Sequence, residues 1–250
     1  MGQRRTSPVR APRRKPGSRV HSELAAGIGR RILDGTYPPG SLLPNEAEWG
    51  QMFGASRTAV REAIKTLNGK GLLVSRPKIG SRVEPRDRWN LLDRDVMAWH
   101  PAALDERTFL LSLQEIRRIL EPGAAVLAAE RRSPRQLAAL EAALADMQSA
   151  GANSEEMVEA DVRFHLALLT AANNELLVPF GIVIEQALAS MFAYTTSHAA
   201  HPEQMLPLHA EVVKAIAARS PEAARKAVTA LLDDTDETLG AVREGGVRVP

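Results

Sequence analysis

Cysteine is absent from all 250 residues. That excludes a disulfide framework and any thiolate metal site, and it fits a cytoplasmic location. Aromatic residues are scarce at 4%, but the aliphatic content is ample for a core. No apolar run approaches the length of a membrane span. The N-terminus is basic and has no apolar segment of the kind a signal peptide needs. What is present is an alanine-, leucine- and charge-rich chain, long enough for one or two domains, with a balance that favours helix.

The formal net charge of +2 hides an asymmetry. Residues 1–88 hold 18 Lys/Arg against 7 Asp/Glu, whereas the remaining 162 hold 14 against 23. A basic first third suits a polyanion, and an acidic remainder suits a domain that stays off it.

Residues 44–83, PNEAEWGQMFGASRTAVREAIKTLNGKGLLVSRPKIGSRV, read as a helix-turn-helix followed by a two-stranded wing. A short helix runs through Ala47, Trp49 and Met52 and stops at Gly54. Ser56 can cap the second helix with its side-chain oxygen. Val60, Ile64 and Leu67 recur there at helical spacing and face a core. Arg57, Thr58, Arg61 and Lys65 fall on other faces and can point outward. A helix led by Ser56, Arg57 and Thr58 can enter a major groove, where Arg reads guanine edges and hydroxyls hold phosphates. The wing strands are expected at Leu72–Ser75 and Ser81–Glu84, with Pro77, Lys78 and Gly80 at the tip. Arg76 and Lys78 can touch phosphate or the minor groove.

The chain divides into a disordered basic tail (1–17), a winged helix-turn-helix domain (18–84), a linker with a short helix (85–103) and an all-helical domain (104–243). Pro8, Pro12 and Pro16 keep the tail from forming a helix. The first helix is expected over 19–34, with Val20, Leu24, Ile28, Ile32 and Leu33 as its buried stripe. In the second domain helices are expected at 104–131, 134–149, 154–172, 175–197, 203–218 and 221–243. Pro122 and Gly123 should kink or split the first of them. The fold class is therefore mainly α: a winged helix-turn-helix followed by a helical bundle.

Three polar residues fall on apolar helix faces of this bundle. Asp161 and His165 are four residues apart on one helix, and His209 shares a face with Val212, Val213 and Ile216 on another. Two imidazoles and a carboxylate suit a divalent ion such as Zn, Ni or Mn, with positions open for water or a ligand oxygen. Alternatively, Asp161 and His165 pair with each other and His209 is a core histidine. Arg117 and Glu121 form an i, i+4 pair. Such pairs more often lie on a solvated face, but Arg117 could instead reach inward and take a carboxylate bidentately. Asn174 reads as a helix boundary, and His198 and His201 as exposed loop residues.

With these residues in view, the chain resembles the GntR superfamily of transcriptional regulators, in the FadR-like branch with an all-helical FCD effector domain. LPNEAEWGQMFGASRTAVREAIKTLNGKGLL carries the DNA-binding resemblance. EIRRILEPGAAVLAAE, DVRFHLALLTAANNELL and HAEVVKAIAARSPEAARKAV carry the effector-domain one. The resemblance implies DNA contacts at Ser56, Arg57, Thr58, Arg61 and the wing tip from Lys78 to Gly80. Ala47 stands where the family commonly has Arg. It also implies metal ligands at Asp161, His165 and His209 and an effector-carboxylate contact at Arg117. A fourth ligand would fall at position 231, where this chain has Leu231. The stretch RPKIGSRVEPRDRWNLLDRDVMAW is similar to that of galactonate-responsive members.

The expected function is a ligand-responsive repressor acting as a homodimer on double-stranded DNA with a palindromic operator. A small carboxylate of the sugar-acid type would bind near Arg117, Asp161, His165 and His209 and act through the Trp89–Trp99 linker. Two other readings compete. One is a metal-dependent hydrolase or isomerase with a DNA-binding appendage. The other is an architectural DNA-binding protein with no effector.

Overall fold

A computed structural model describes residues 16–100, 106–150, 155–197 and 205–245. The chain separates into two compact units, Met1–Leu91 and Leu92–Pro250. The tail over residues 1–15, and His198 and His201, lie outside the described residues.

The first unit holds α1 (Pro16–Leu33), α2 (Glu46–Phe53), α3 (Arg57–Gly69), β1 (Leu73–Arg76) and β2 (Gly80–Val83). α1 begins three residues before its expected start, at Pro16. Proline suits that position because its missing N–H is one of the four a helix start leaves unpaired. Asn45 caps α2. Its Oδ1 accepts from the backbone N–H groups of Ala47 and Glu48, and Glu48 accepts in return from the N–H of Asn45. Gly54 ends α2 in the left-handed conformation at φ 62°. Ser56 then caps α3 through a 3.3 Å bond from the N–H of Ala59.

These caps set the angle at which α1, α2 and α3 bury Ile28, Ile32, Trp49, Val60, Ala63 and Leu67. Ile64, expected in that row, is only half buried, and Ala63 faces the core in its place. β1 and β2 pair antiparallel from Leu73 opposite Val83 to Arg76 opposite Gly80, each starting one residue from its expected position. Leu42 adds an isolated antiparallel bridge to Arg82 beside this two-stranded sheet. Leu43 donates to the carbonyl of Ser81, and Val83 donates to that of Ser41. Gly71, at φ 73°, makes the turn from α3 into the wing. A Cβ there would run into the carbonyl oxygen of Arg88.

The second unit holds α4 (Arg94–Trp99), α5 (Glu106–Arg131), α6 (Pro134–Ser149), α7 (Glu155–Ala171), α8 (Gly181–Ser197), α9 (Met205–Ala217) and α10 (Pro221–Gly245). Its main core joins Leu140 and Met147 of α6, Phe164 and Leu168 of α7, Val212 and Ile216 of α9 and Val228 of α10. Cutting Leu140 or Leu168 back to Ala here would cost about 2–5 kcal/mol. Pro122 does not split α5, which continues unbroken to Arg131. Packing of α5 against α7, α8, α9 and α10 outweighs the lost backbone bond.

α8 starts at Gly181, six residues later than expected. Asn174 turns the chain by accepting from the N–H of Leu176, and Pro179 sits in a short 3-10 turn. α5 and α9 cap each other's C-termini. Arg132 donates to the carbonyls of Ile216 and Ala217, and Arg219 donates to those of Glu130 and Arg132. Among the described residues no helix is long and apolar enough to cross a membrane.

Candidate functional site

On the first unit, Ser56, Arg57 and Thr58 open α3 and are exposed. Arg61, one turn on, is not free. Its Nε lies 2.9 and 2.8 Å from the two oxygens of Glu46 on α2. Arg76 and Lys78 are exposed on the wing. Lys78 takes φ 64° and Gly80 φ 99°, so the tip turns tightly and presents Lys78 outward. Arg57, Lys65, Arg76 and Lys78 thus give the unit an exposed cationic set that suits a phosphate backbone. Trp89 packs into this unit, its indole N–H donating to the carbonyl of Glu84 at 2.9 Å.

In the second unit, α5, α7 and α9 bring five polar side chains together inside the bundle. Arg117 is 2% exposed, Glu121 0%, His165 1%, His209 1% and Asp161 8%. The Arg117–Glu121 pair forms as its spacing allows, but on a buried face and not the solvated one such pairs more often occupy. Burial leaves each needing full pairing. Nε of Arg117 donates to Glu121 Oε1 at 2.7 Å, and its Nη2 reaches His165 Nε2 at 3.2 Å. The other oxygen of Glu121 lies 2.7 Å from His165 Nδ1. Asp161 Oδ1 lies 3.4 Å from His165 Nε2 and 3.0 Å from His209 Nε2. Phe164 sets its ring edge-on against both imidazoles, at 4.7 Å from His209 and 5.6 Å from His165.

The hydrogen-bond inventory fixes the imidazoles. A backbone carbonyl only accepts, so His209 Nδ1, 2.8 Å from the carbonyl oxygen of Met205, carries a proton. His165 Nδ1 faces a carboxylate oxygen and carries one too. Arginine only donates, so the 3.2 Å contact leaves a lone pair on His165 Nε2. Both Nε2 atoms therefore turn inward toward Asp161. None of the short contacts among Asp161, His209 and the His165–Glu121 pair is aligned as a hydrogen bond. Asp161 Oδ1, His209 Nε2, Glu121 Oε2 and His165 Nδ1 are all buried with no such partner.

Burial opposes charge on Glu121, but Arg117 and His165 outweigh it and hold its pKa at about 2. Burial opposes charge on Asp161 too, yet His165 and His209 push its pKa well below the usual carboxylate range. On His165, burial and Arg117 favour the neutral ring, whereas Glu121 and Asp161 favour the charged one and lift its pKa to about 9. A second proton on His165 would point at the Arg117 donor, so the charged ring and the 3.2 Å contact exclude each other. The contact describes the neutral ring with a bare Nε2; protonation of that nitrogen, which the two carboxylates favour, turns the Arg117 Nη2 away.

One ligand atom each from Asp161, His165 and His209 lies within 4.8 Å of the others, so the residues fit a divalent cation. His209 presents an inward lone pair with its outer N–H on a carbonyl oxygen, and Asp161 Oδ1 is buried without a donor, as such an ion needs; His165 Nε2 ligates once it gives up its contact with Arg117. Leu231, 3% exposed, forms part of the wall and adds no ligand. Three protein ligands leave a coordination position open to water or an oxygen ligand. The cluster opens on a cavity of about 90 Å³, bounded also by Met157, Leu188, Phe192, Asp234 and Thr235. That space has room for several waters or one small ligand. Sequence spacing had not marked Glu121, Asp234 or Thr235 for this site. Asn174 lies at the end of α7, where it shapes the turn.

Residues 21–83 match the bacterial regulatory proteins of the gntR family, and residues 112–234 match the FCD domain. The chain is 37% identical over 216 residues to the uncharacterized HTH-type transcriptional regulator YieP of Escherichia coli (strain K12), covering 86% of this chain and 93% of that one. It is 33% identical over 213 residues to the galactonate operon transcriptional repressor of the same strain, covering 85% and 93%. Its fold is shared with the solved structure of Lar, which controls expression of the Listeria monocytogenes agr system. The TM-score is 0.63 at 19% identity, over 92% of this chain and 99% of that one.

Proposed function

The chain belongs to the gntR family of bacterial regulatory proteins and carries that family's FCD domain, and from this premise we propose that it is a homodimeric repressor released from DNA by a small carboxylate of the sugar-acid type. It is a transcriptional regulator and not an enzyme, which sets aside the hydrolase or isomerase reading. DNA binding falls to residues 18–84, with Ser56, Arg57, Thr58 and Arg61 at the major groove and Arg76, Lys78 and Gly80 at the wing. Two such units on a two-fold axis match a palindromic operator. Residues 85–103 link them to the effector-binding and dimerising bundle, 104–243. The site of action is the cytoplasm.

The observation that carries the effector reading is the buried cation Arg117 beside three inward ligand atoms at a small cavity. A divalent ion (Zn, Ni or Mn) held by Asp161, His165 and His209 would supply an electrophilic site for an oxygen ligand. With that ion and a neutral His165, the cluster of Arg117, Glu121 and Asp161 carries one net positive charge, which complements a carboxylate. Arg117 orients that carboxylate, and Asp234 and Thr235 offer polar partners for hydroxyl groups. The 33% identity to a galactonate repressor supports this ligand class. The effector changes DNA affinity only through its different affinity for the DNA-competent and DNA-released arrangements.

Calorimetric titration of the metal-loaded protein with galactonate and with shorter 2-hydroxy acids tests the proposal. Saturable binding that is lost in Arg117→Ala supports it. Binding of no acid, with or without metal, leaves the chain an effector-free DNA-binding protein.

A further inference from the structure

One wall of the cavity is built by a single helix. Leu231, Asp234, Thr235 and Thr238 of α10 line it, at spacings from Leu231 of three, four and seven residues that bring them onto one helix face. Both hydroxyls on this wall give their protons to their own helix. Thr235 Oγ1 donates to the carbonyl of Leu231 at 3.1 Å, and Thr238 Oγ1 donates to that of Asp234 at 3.0 Å. A hydroxyl has one proton, so each oxygen keeps only lone pairs for the cavity.

The carboxylate of Asp234 also only accepts. Its neighbours Asp233 and Asp236 are both held by Arg118 of α5, at 2.6 and 2.7 Å. The half-buried side chain of Asp234 has no hydrogen-bond or ion-pair partner among the described residues. The cavity's cation has the reverse character. Arg117 only donates, and its Nη1 is left without a partner among the described residues.

Resting on the reading of the cavity above, we infer that Asp234 determines ligand specificity: it makes α10 an acceptor wall and restricts the effector to a monocarboxylic acid whose other end carries hydroxyl donors. An acid anchored by one carboxylate at Arg117 meets α10 with the rest of its chain. Hydroxyl groups there supply the protons that Asp234, Thr235 and Thr238 lack. A second carboxylate supplies none, leaves those acceptors unpaired and faces Asp234 as a like charge. Asparagine at position 234 keeps the shape and offers two N–H donors, so a second carboxylate then finds a partner.

The test is calorimetric titration of the full-length protein, supplied with Zn²⁺, with acids paired by length, in wild type and Asp234→Asn. Galactonate is paired with galactarate, threonate with tartrate and glycerate with tartronate. Each diacid differs from its monoacid only in carrying a carboxylate where the monoacid ends in CH2OH. Wild type should bind at least one monoacid about tenfold or more tightly than its diacid. Asp234→Asn should shrink that ratio to less than about threefold, by weakening the monoacid and strengthening the diacid. Diacids bound as tightly as their monoacids by wild type, or a preference that Asp234→Asn leaves unchanged, would overturn this inference and leave the effector cavity standing. Binding of no acid by either protein would overturn the cavity reading, and this inference with it.

Discussion

Arg61 on α3 is held by Glu46 on α2, with Nε 2.9 and 2.8 Å from the two carboxylate oxygens. Both groups are exposed, at 69% and 43% of their side chains, so the pair contributes little to stability. Its consequence is for DNA. Glu46 cancels a positive charge on the recognition helix and fixes where Arg61 points. Glu46→Gln should leave thermal unfolding nearly unchanged. It should tighten binding to random-sequence DNA and raise the slope of log K against log salt by about one. An unchanged slope would mean that Arg61 stays off the DNA.

Arg57 and Lys78 should fail in different ways. Arg57 opens the helix proposed to read base edges, so Arg57→Ala should cost about 1–3 kcal/mol on the cognate operator and less on random DNA. Lys78 stands on the wing tip at φ 64°, and the proposal gives it a phosphate contact. Lys78→Ala should weaken binding to both DNAs alike and lower the salt slope by about one. Fluorescence anisotropy at several salt concentrations separates the two.

The buried cluster makes stability depend on pH. Glu121 and Asp161 have depressed pKa values, Glu121 at about 2. Their contribution is complete above the ordinary carboxylate range and is lost as pH falls from that range through their depressed values. His165 is raised from 6.5 to about 9. Its contribution is complete below pH 6.5 and is lost as pH rises toward 9. Chelator-treated protein should therefore lose Tm between pH 6.5 and 9 more steeply in wild type than in His165→Gln. Parallel curves over that window would contradict the ion pairing described here.

Leu231 offers a gain-of-function test. It is 3% exposed and forms part of the cavity wall beside the three ligand atoms. Leu231→His places an imidazole there and should tighten Zn²⁺ binding measured by chelator competition. A lower Tm in the metal-free protein is expected as well, because a polar ring replaces a core side chain. Unchanged Zn²⁺ affinity would place position 231 too far from Asp161, His165 and His209 to ligate.

Local signals in the sequence gave up most of the fold. Gly54 and Ser56 announce the turn between α2 and α3, and Ser133 before Pro134 announces α6, because capping chemistry lies within a few residues. The convergence of Asp161, His165 and His209 was legible from apolar periodicity on two helices. What escaped depends on contacts between distant residues. The ion pair of Glu46 with Arg61 spans 15 positions, and the isolated bridge of Leu42 forms only with Arg82 on a later strand. An Arg–Glu pair at i, i+4 looks the same on a wet face as on a buried one, so the roles of Arg117 and Glu121 could not be separated by spacing. Pro122 inside α5 is tolerated because four other helices hold the segment in place, which no local rule can show.

The central claim is that a small acid bound in the bundle releases the protein from its operator. The most direct measurement is binding of the purified protein to DNA from upstream of its own gene, titrated with galactonate and related acids at fixed salt. The account expects specific binding that one sugar acid reverses in wild type but not in Arg117→Ala. Specific binding indifferent to every acid would contradict the effector reading and leave only the DNA-binding half standing.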